Sequence, residues 1–223
     1  MKTVAMNNLI YENPLACQED LEGFVCEGEG AISFPMGRMR LEGKLSPDLG
    51  QKSNFVLWCP VDFPSDVRIE WEFTPLREPG LCVMFFGALG KNGEDILTGG
   101  LAKRTGEYDF YHHGDLNAYH LSYFRRRYPE ERAFHTCNLR KSYGFHLVAQ
   151  GADPIPDVAD ADKSYALRII RSGSRISFFV NDLQVLEYED DGTLGNVITS
   201  GKLGFRQMAP LIAEYKNLKV YTV

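Results

Sequence analysis

All five histidines of this 223-residue chain, His112, His113, His120, His135 and His146, fall in one segment that is also dense in arginine and aromatic residues. Histidine titrates nearer neutrality than any other side chain, so a cluster of it can supply general acids and bases at physiological pH. Lys103 to His146 holds eight Lys/Arg and five Asp/Glu, a local excess of three positive charges in a chain of net charge −6. A confined basic patch on an acidic protein suits a small anionic ligand. Nucleic acid is not expected as a partner, because the acidic remainder would repel a phosphate backbone. His112, His113, Asp115 and His120 are ligand types for zinc or iron, but their spacing matches no strong metal signature, so neither metal nor cofactor is expected.

The elements that must position these groups read as strands. Short alternating or apolar runs lie between turn residues, and no stretch sustains a 3.6-residue period. The expected strands are 31–34 and 38–41 as a hairpin, 55–59, 67–74, 81–88, a meander of 165–171, 175–180 and 184–188, and finally 201–208 and 213–221. Such spacing predicts an all-β, two-sheet antiparallel sandwich occupying residues 1–223 as one domain. With 44% hydrophobic and 24% charged residues the chain can bury a sizeable core, which excludes disorder. No apolar run approaches the roughly 20 residues of a membrane helix, and the start MKTVAMNNLIYENPL lacks the apolar stretch of a secretory signal. A soluble, cytoplasmic protein is expected, with no membrane contact. The five cysteines include no CxxC pair, which argues against a disulfide framework or a structural zinc site. The acidic stretch 151–162 reads as a long solvated loop.

Because strand side chains alternate between faces, each strand can be sorted by parity. Placing Tyr119, Leu121 and Tyr123 inward leaves His120, Ser122, Phe124 and Arg126 outward. Inward Cys137 and Leu139 expose Asn138 and Arg140, and inward Phe145 and Leu147 expose His146. Inward Val67, Ile69, Trp71 and Phe73 leave Glu70 and Glu72 together. If these strands share a sheet, one outer face gathers Glu70, Glu72, His120, Arg126, Asn138, Arg140 and His146.

The stretches HLSYFRRRYPEERAFHTCNLRKSYGFHLVAQG (120–151), FVLWCPVDFP (55–64), WEFTPLREPGLCVMFF (71–86) and GKLGFRQMAP (201–210) resemble the YesU-like family of uncharacterised bacterial proteins. The resemblance runs from about Leu9 onward. It implies a concanavalin A-like jelly-roll sandwich, as in lectins and glucanases, and an association with the breakdown of pectin-type, uronate-bearing glycans. The family carries no agreed catalytic residues, so none are transferred.

An acidic oligosaccharide or polysaccharide fragment would make sense of the basic patch, since arginine matches a carboxylate bidentately. Arg126, Arg140 and Arg206 are the candidates. Trp58, with Tyr111, Phe124 and Tyr128, would offer flat platforms for sugar rings, and Asn117, Asn138 and Gln207 would read hydroxyls. Hydrolysis would use two carboxylates flanking the glycosidic bond, for which Glu70 and Glu72, roughly 7 Å apart along one strand face, are the expected pair. β-Elimination would use a base such as His120, His146 or Tyr123, with Asn138 and Arg140 holding the developing charge. A non-catalytic, lectin-like role needs only the arginines, amides and aromatics. Exposed sandwich edges would also allow a homodimer.

Overall fold

Alternation governs the longest strands: from Val67 to Pro75 every second side chain is buried and those between are half-buried. The computed structural model describes residues 8–223. Its first half carries β1 (Leu9–Asn13), β2 (Val25–Gly28), β3 (Gly30–Ser33), β4 (Met39–Gly43), β5 (Phe55–Trp58), β6 (Phe63–Pro64), β7 (Val67–Arg77) and β8 (Cys82–Gly90). Then come α1 (Asp109–His112), β9 (Leu116–Tyr123), α2 (Pro129–Ala133), β10 (Thr136–Ser142) and β11 (His146–Ala152). The last third is β12 (Tyr165–Ser172), β13 (Arg175–Val180), β14 (Leu183–Glu189), β15 (Ser200–Gln207) and β16 (Ile212–Thr222).

These strands form two open antiparallel sheets. The first runs β14-β13-β12-β7-β16-β4-β3, with β1 beside β16; the second runs β11-β10-β9-β8-β15-β5-β2, with β6 beside β15. The two-sheet antiparallel sandwich expected from the strand spacing is therefore observed. Among the described residues no helix is long and apolar enough to cross a membrane.

The inner faces close on Trp71, Phe73, Tyr123, Phe178, Phe205 and Tyr215, each at most 1% exposed. Burying one large apolar side chain of this kind contributes about 1.5–3 kcal/mol. A second apolar cluster lies on the outer face of the second sheet, where residues 91–115 fold back and cover Val56, Trp58, Phe85 and Ala118 with Ile96 and Tyr111. This return reaches the sheet closely: a Cβ at Gly106, whose φ is +90°, would lie 1.9 Å from the Asn54 carbonyl oxygen. Only glycine fits such an approach. The cover is partial, and what it leaves open is the site.

Candidate functional site

Between the 91–115 return and α2, the outer face of the second sheet holds a groove of about 310 Å³. Its floor is built from one residue each of β8, β9 and β15 and two of β10: Val83, Ser122, Arg206, Asn138 and Arg140. Tyr108 and Gln51 stand on one side, Arg125, Tyr128, Glu130 and Glu131 on the other, with Phe145 in the turn between β10 and β11. Alternation explains the floor, since Ser122, Asn138 and Arg140 sit one residue from the core positions Leu121, Tyr123, Cys137 and Leu139.

Arg206 is the distinctive member. It is 1% exposed, its guanidinium lies 4.6 Å from the Tyr108 ring centroid, and Nη2 donates to Gln51 Oε1 at 2.9 Å and to the Gly106 carbonyl at 3.2 Å. Its Nε and Nη1 have no hydrogen-bond partner among the described residues. Burial draws its pKa down from the ordinary arginine value, yet guanidinium stays charged in proteins. A buried cation without a carboxylate partner is costly unless a ligand completes it. Arg140 is half-buried beside it, stacked 3.7 Å over the Phe145 ring and donating to the Phe145 carbonyl at 3.0 Å. Arg125 is committed to Glu131 at 2.7 Å and to Thr136 Oγ1 at 2.8 Å.

His120 lies on the same face but beneath Tyr108. Its Nδ1 is 3.1 Å from the Tyr108 hydroxyl and its Nε2 2.8 Å from Ser142 Oγ. Burial, then the charges of His112, Arg206 and Arg140, hold its pKa well below the ordinary histidine value. Unfolded, His120 takes up a proton near pH 6.5; folded, it resists. The unfolded chain therefore binds the proton first, and stability should fall as pH drops below about 6.5, by up to about 1.4 kcal/mol per pH unit from this group. His120→Asn is expected to flatten that part of the curve in urea unfolding between pH 5 and 7. An unchanged slope would mean that the folded protein already holds His120 protonated.

Several expected site residues lie elsewhere. Glu70 and Glu72 are on β7, in the other sheet, with Glu72 accepting from Asn217 at 2.6 Å and Glu70 3.0 Å from Arg68. Tyr123 points into the core, where its hydroxyl accepts from Trp71 Nε1 at 3.2 Å. Gln207 is also inward, donating to the Leu41 and Leu211 carbonyls at 2.8 Å each. Trp58 is fully buried under Phe85 and Tyr111. Arg126 is fully buried by Asp153, Asp157 and the Ile155 carbonyl, because β9 ends at Tyr123 and Phe124, at φ +47°, turns the chain out of register. The parity of 145–147 is reversed: a bulge between Leu139 and Arg140 sets Leu147 opposite Arg140 and His146 opposite Lys141. His146 and Asn117 line a separate cavity of about 340 Å³ with Tyr143. Of the expected set, Tyr128, Asn138, Arg140 and Arg206 share the groove, with His120 under its wall.

The two most voluminous of the cavities described lack such a centre. The one along β2, of about 860 Å³, holds Glu27 and Arg104, which pair at 2.5 Å, and Tyr111 donates to the same Glu27 at 2.9 Å. The other, of about 680 Å³, is the Glu70–Glu72 face. Tyr108 and Gln51 escaped the sequence reading because they sit outside strands, where parity gives no signal; Tyr108 does fall inside the basic segment.

A relative, the uncharacterized protein YesU of Bacillus subtilis (strain 168), is 49% identical over 213 residues, covering 95% of this chain and 94% of that one. A crystal structure from Bacillus subtilis, described as a protein of unknown function with a galectin-like fold, superposes with a TM-score of 0.92 at 48% identity over 96% of both chains. The carbohydrate-binding module CBM66 of Bacillus subtilis shares the fold at a TM-score of 0.55 and 15% identity, over 90% of this chain and 96% of that one. The model of the domain of unknown function DUF1961 matches residues 8–220, and the chain belongs to that family.

Proposed function

We propose that the Arg206 groove binds an acidic oligosaccharide, with the carboxylate of a uronic acid, of the pectin type, meeting Arg140 and the buried, unpartnered Nε and Nη1 of Arg206 once the groove side chains yield to it. The observation that carries this reading is a buried guanidinium with two nitrogens unpartnered at the floor of a groove. Carboxylate supplies two acceptor oxygens in a plane that matches the guanidinium fork. Tyr108, Tyr128 and Phe145 give the groove aromatic surface for sugar rings, and Ser122 and Asn138 give it hydroxyl partners. The fold shared with a carbohydrate-binding module is consistent with a sugar ligand.

Hydrolysis is disfavoured within this reading, because it needs two free carboxylates about 5–9.5 Å apart. Glu131 is bonded to Arg125 and to the backbone N–H groups of Arg127 and Tyr128 at 2.9 and 3.1 Å, which leaves Glu130 alone. Elimination and lectin-like binding remain, and both begin with capture of the uronate. The free thiols of Cys17 and Cys26 are exposed, which suits a single jelly-roll domain working in a reducing cytoplasm.

Calorimetric titration with uronate oligosaccharides and their methyl-ester counterparts tests the reading. Saturable binding is expected for the acids only, weakening as salt rises. Glu70→Gln and Glu72→Gln should leave the affinity within about twofold, since they lie on the other sheet. Equal binding of the neutral esters would remove the role of Arg206.

A further inference from the structure

Beneath the groove wall runs a hydrogen-bonded chain that uronate capture alone does not require. Ser142 Oγ accepts from the Ala118 N–H at 3.1 Å and directs its own proton to the Ala118 carbonyl at 3.4 Å. It therefore accepts from His120 Nε2–H at 2.8 Å, which fixes the tautomer and leaves Nδ1 as an acceptor for the Tyr108 hydroxyl at 3.1 Å. The ring of His120 is held edge-on to Phe85, with centroids 4.7 Å apart. Tyr108 lines the groove that contains Arg206 and Arg140, and its ring lies 4.6 Å from the Arg206 guanidinium, so this one side chain touches both the neutral imidazole and the anion site. Burial raises the Tyr108 pKa to about 12, while Arg206, Arg140 and Arg125 pull it the other way. A merely structural tyrosine needs no base behind it.

We infer that the groove catalyses β-elimination on 4-linked uronides, with Tyr108 as the proton-transfer residue and His120 holding and receiving its proton. The inference rests on uronate capture by Arg206. With the carboxylate neutralised by Arg206 and Arg140, the adjacent C5–H becomes acidic. The Tyr108 oxygen takes the C5 proton as its own proton passes to His120 Nδ1. The C5–H electron pair becomes the C4=C5 bond, and the C4–O bond breaks with its pair on the departing glycosidic oxygen. That oxygen takes a proton from solvent, and His120 passes the proton it received back through Tyr108 to solvent, so the step does not require C5–H and C4–O to lie on one face. The products are a 4,5-unsaturated uronide and a shortened saccharide with a free hydroxyl; no water is consumed.

The test uses 4-linked tetrasaccharides of galacturonate, mannuronate and glucuronate, following binding by calorimetry, the ultraviolet absorbance of the unsaturated uronide, and product mass. Binding of at least one, with new absorbance and no mass gain, is expected for the wild type. Tyr108→Phe should keep affinity within about threefold and lose at least 100-fold in turnover, the scale of proton-transfer catalysis. His120→Asn should lower kcat at unchanged KM, a split that general loosening of the site would not give. Thermal melting identifies any variant that fails to fold, and Ser142→Ala then supplies the second probe of the chain, with kcat again falling at constant KM. Binding without unsaturated product, cleavage with a gain of water, or a fully active Tyr108→Phe overturns elimination and leaves the binding site standing. Binding of none of the three overturns uronate capture itself.

Discussion

Replacing Arg126 by methionine is expected to destabilise the protein by about 3–5 kcal/mol, the scale for leaving a buried charge without its partner. Arg126 has no exposed side-chain surface, and neither does Asp153, 3.1 Å from its Nη1. Nε reaches Asp157 at 2.6 Å, and Nη2 reaches the Ile155 carbonyl at 2.6 Å and His135 Nδ1 at 3.1 Å. One guanidinium thus fastens the 153–157 stretch between β11 and β12 to the end of β9. Burial already pushes the Asp153 carboxyl up from its ordinary pKa, with Arg126 opposing. Without Arg126 the carboxyl rises further, so the folded state binds its proton before the unfolded state does. The loss should therefore be largest near pH 7 and shrink as pH falls toward 5, in contrast to the His120 effect. Urea unfolding at both pH values measures it. The double variant Arg126→Met, Asp153→Leu should regain much of the loss, because removing both charges removes the desolvation cost. A fully additive loss would show that the pair is not the source.

What the sequence disclosed follows from what is local. Period-two alternation named the inward residues of β7, β9 and β10, and the structure places Trp71, Leu121, Tyr123, Cys137 and Leu139 in one core. Alternation also put Asn138 and Arg140 outward, where they line the groove. It had no means of deciding which strands share a sheet. β7 pairs with β12 and β16, distant in sequence, and not with β8 next to it. Glu70 and His120 consequently lie on opposite sheets although each was assigned to an outer face correctly.

The remaining errors come from backbone events that composition does not show. One positive φ at Phe124 ended the alternation and sent Arg126 inward. One bulge in β11, at Val148, put Leu147 and not His146 opposite Arg140. Trp58 does face outward, but the 91–115 return covers it, and no strand pattern reports what a later segment will cover. Tyr108 and Gln51 reach the groove from irregular segments that surround rather than form the sheet. The fold was thus legible to the level of strands, while the site depends on non-local packing around four of the expected residues.

Arg206 presents the opposite case to Arg126, and the contrast is itself testable. Both are buried arginines, but Arg126 is fully satisfied by protein groups, whereas Arg206 keeps two nitrogens unpartnered and has no carboxylate within ion-pairing range among the described residues. In the free protein that arrangement is a cost, of the kind retained at sites that need it for a ligand. Arg206→Met should therefore leave stability within about 1 kcal/mol of wild type, because the lost bonds to Gln51 and Gly106 are offset by removal of a buried, half-satisfied charge. Uronate affinity should fall by about 2–5 kcal/mol, roughly 30-fold or more, since the ligand carboxylate would be buried without its counter-ion. Arg206→Lys should recover only part, because a point charge cannot reproduce the bidentate fork. Calorimetry with a uronate oligosaccharide, paired with urea unfolding of the same variants, separates the two effects. A strongly destabilised Arg206→Met with normal affinity would make Arg206 a second structural arginine and move the ligand elsewhere on the molecule.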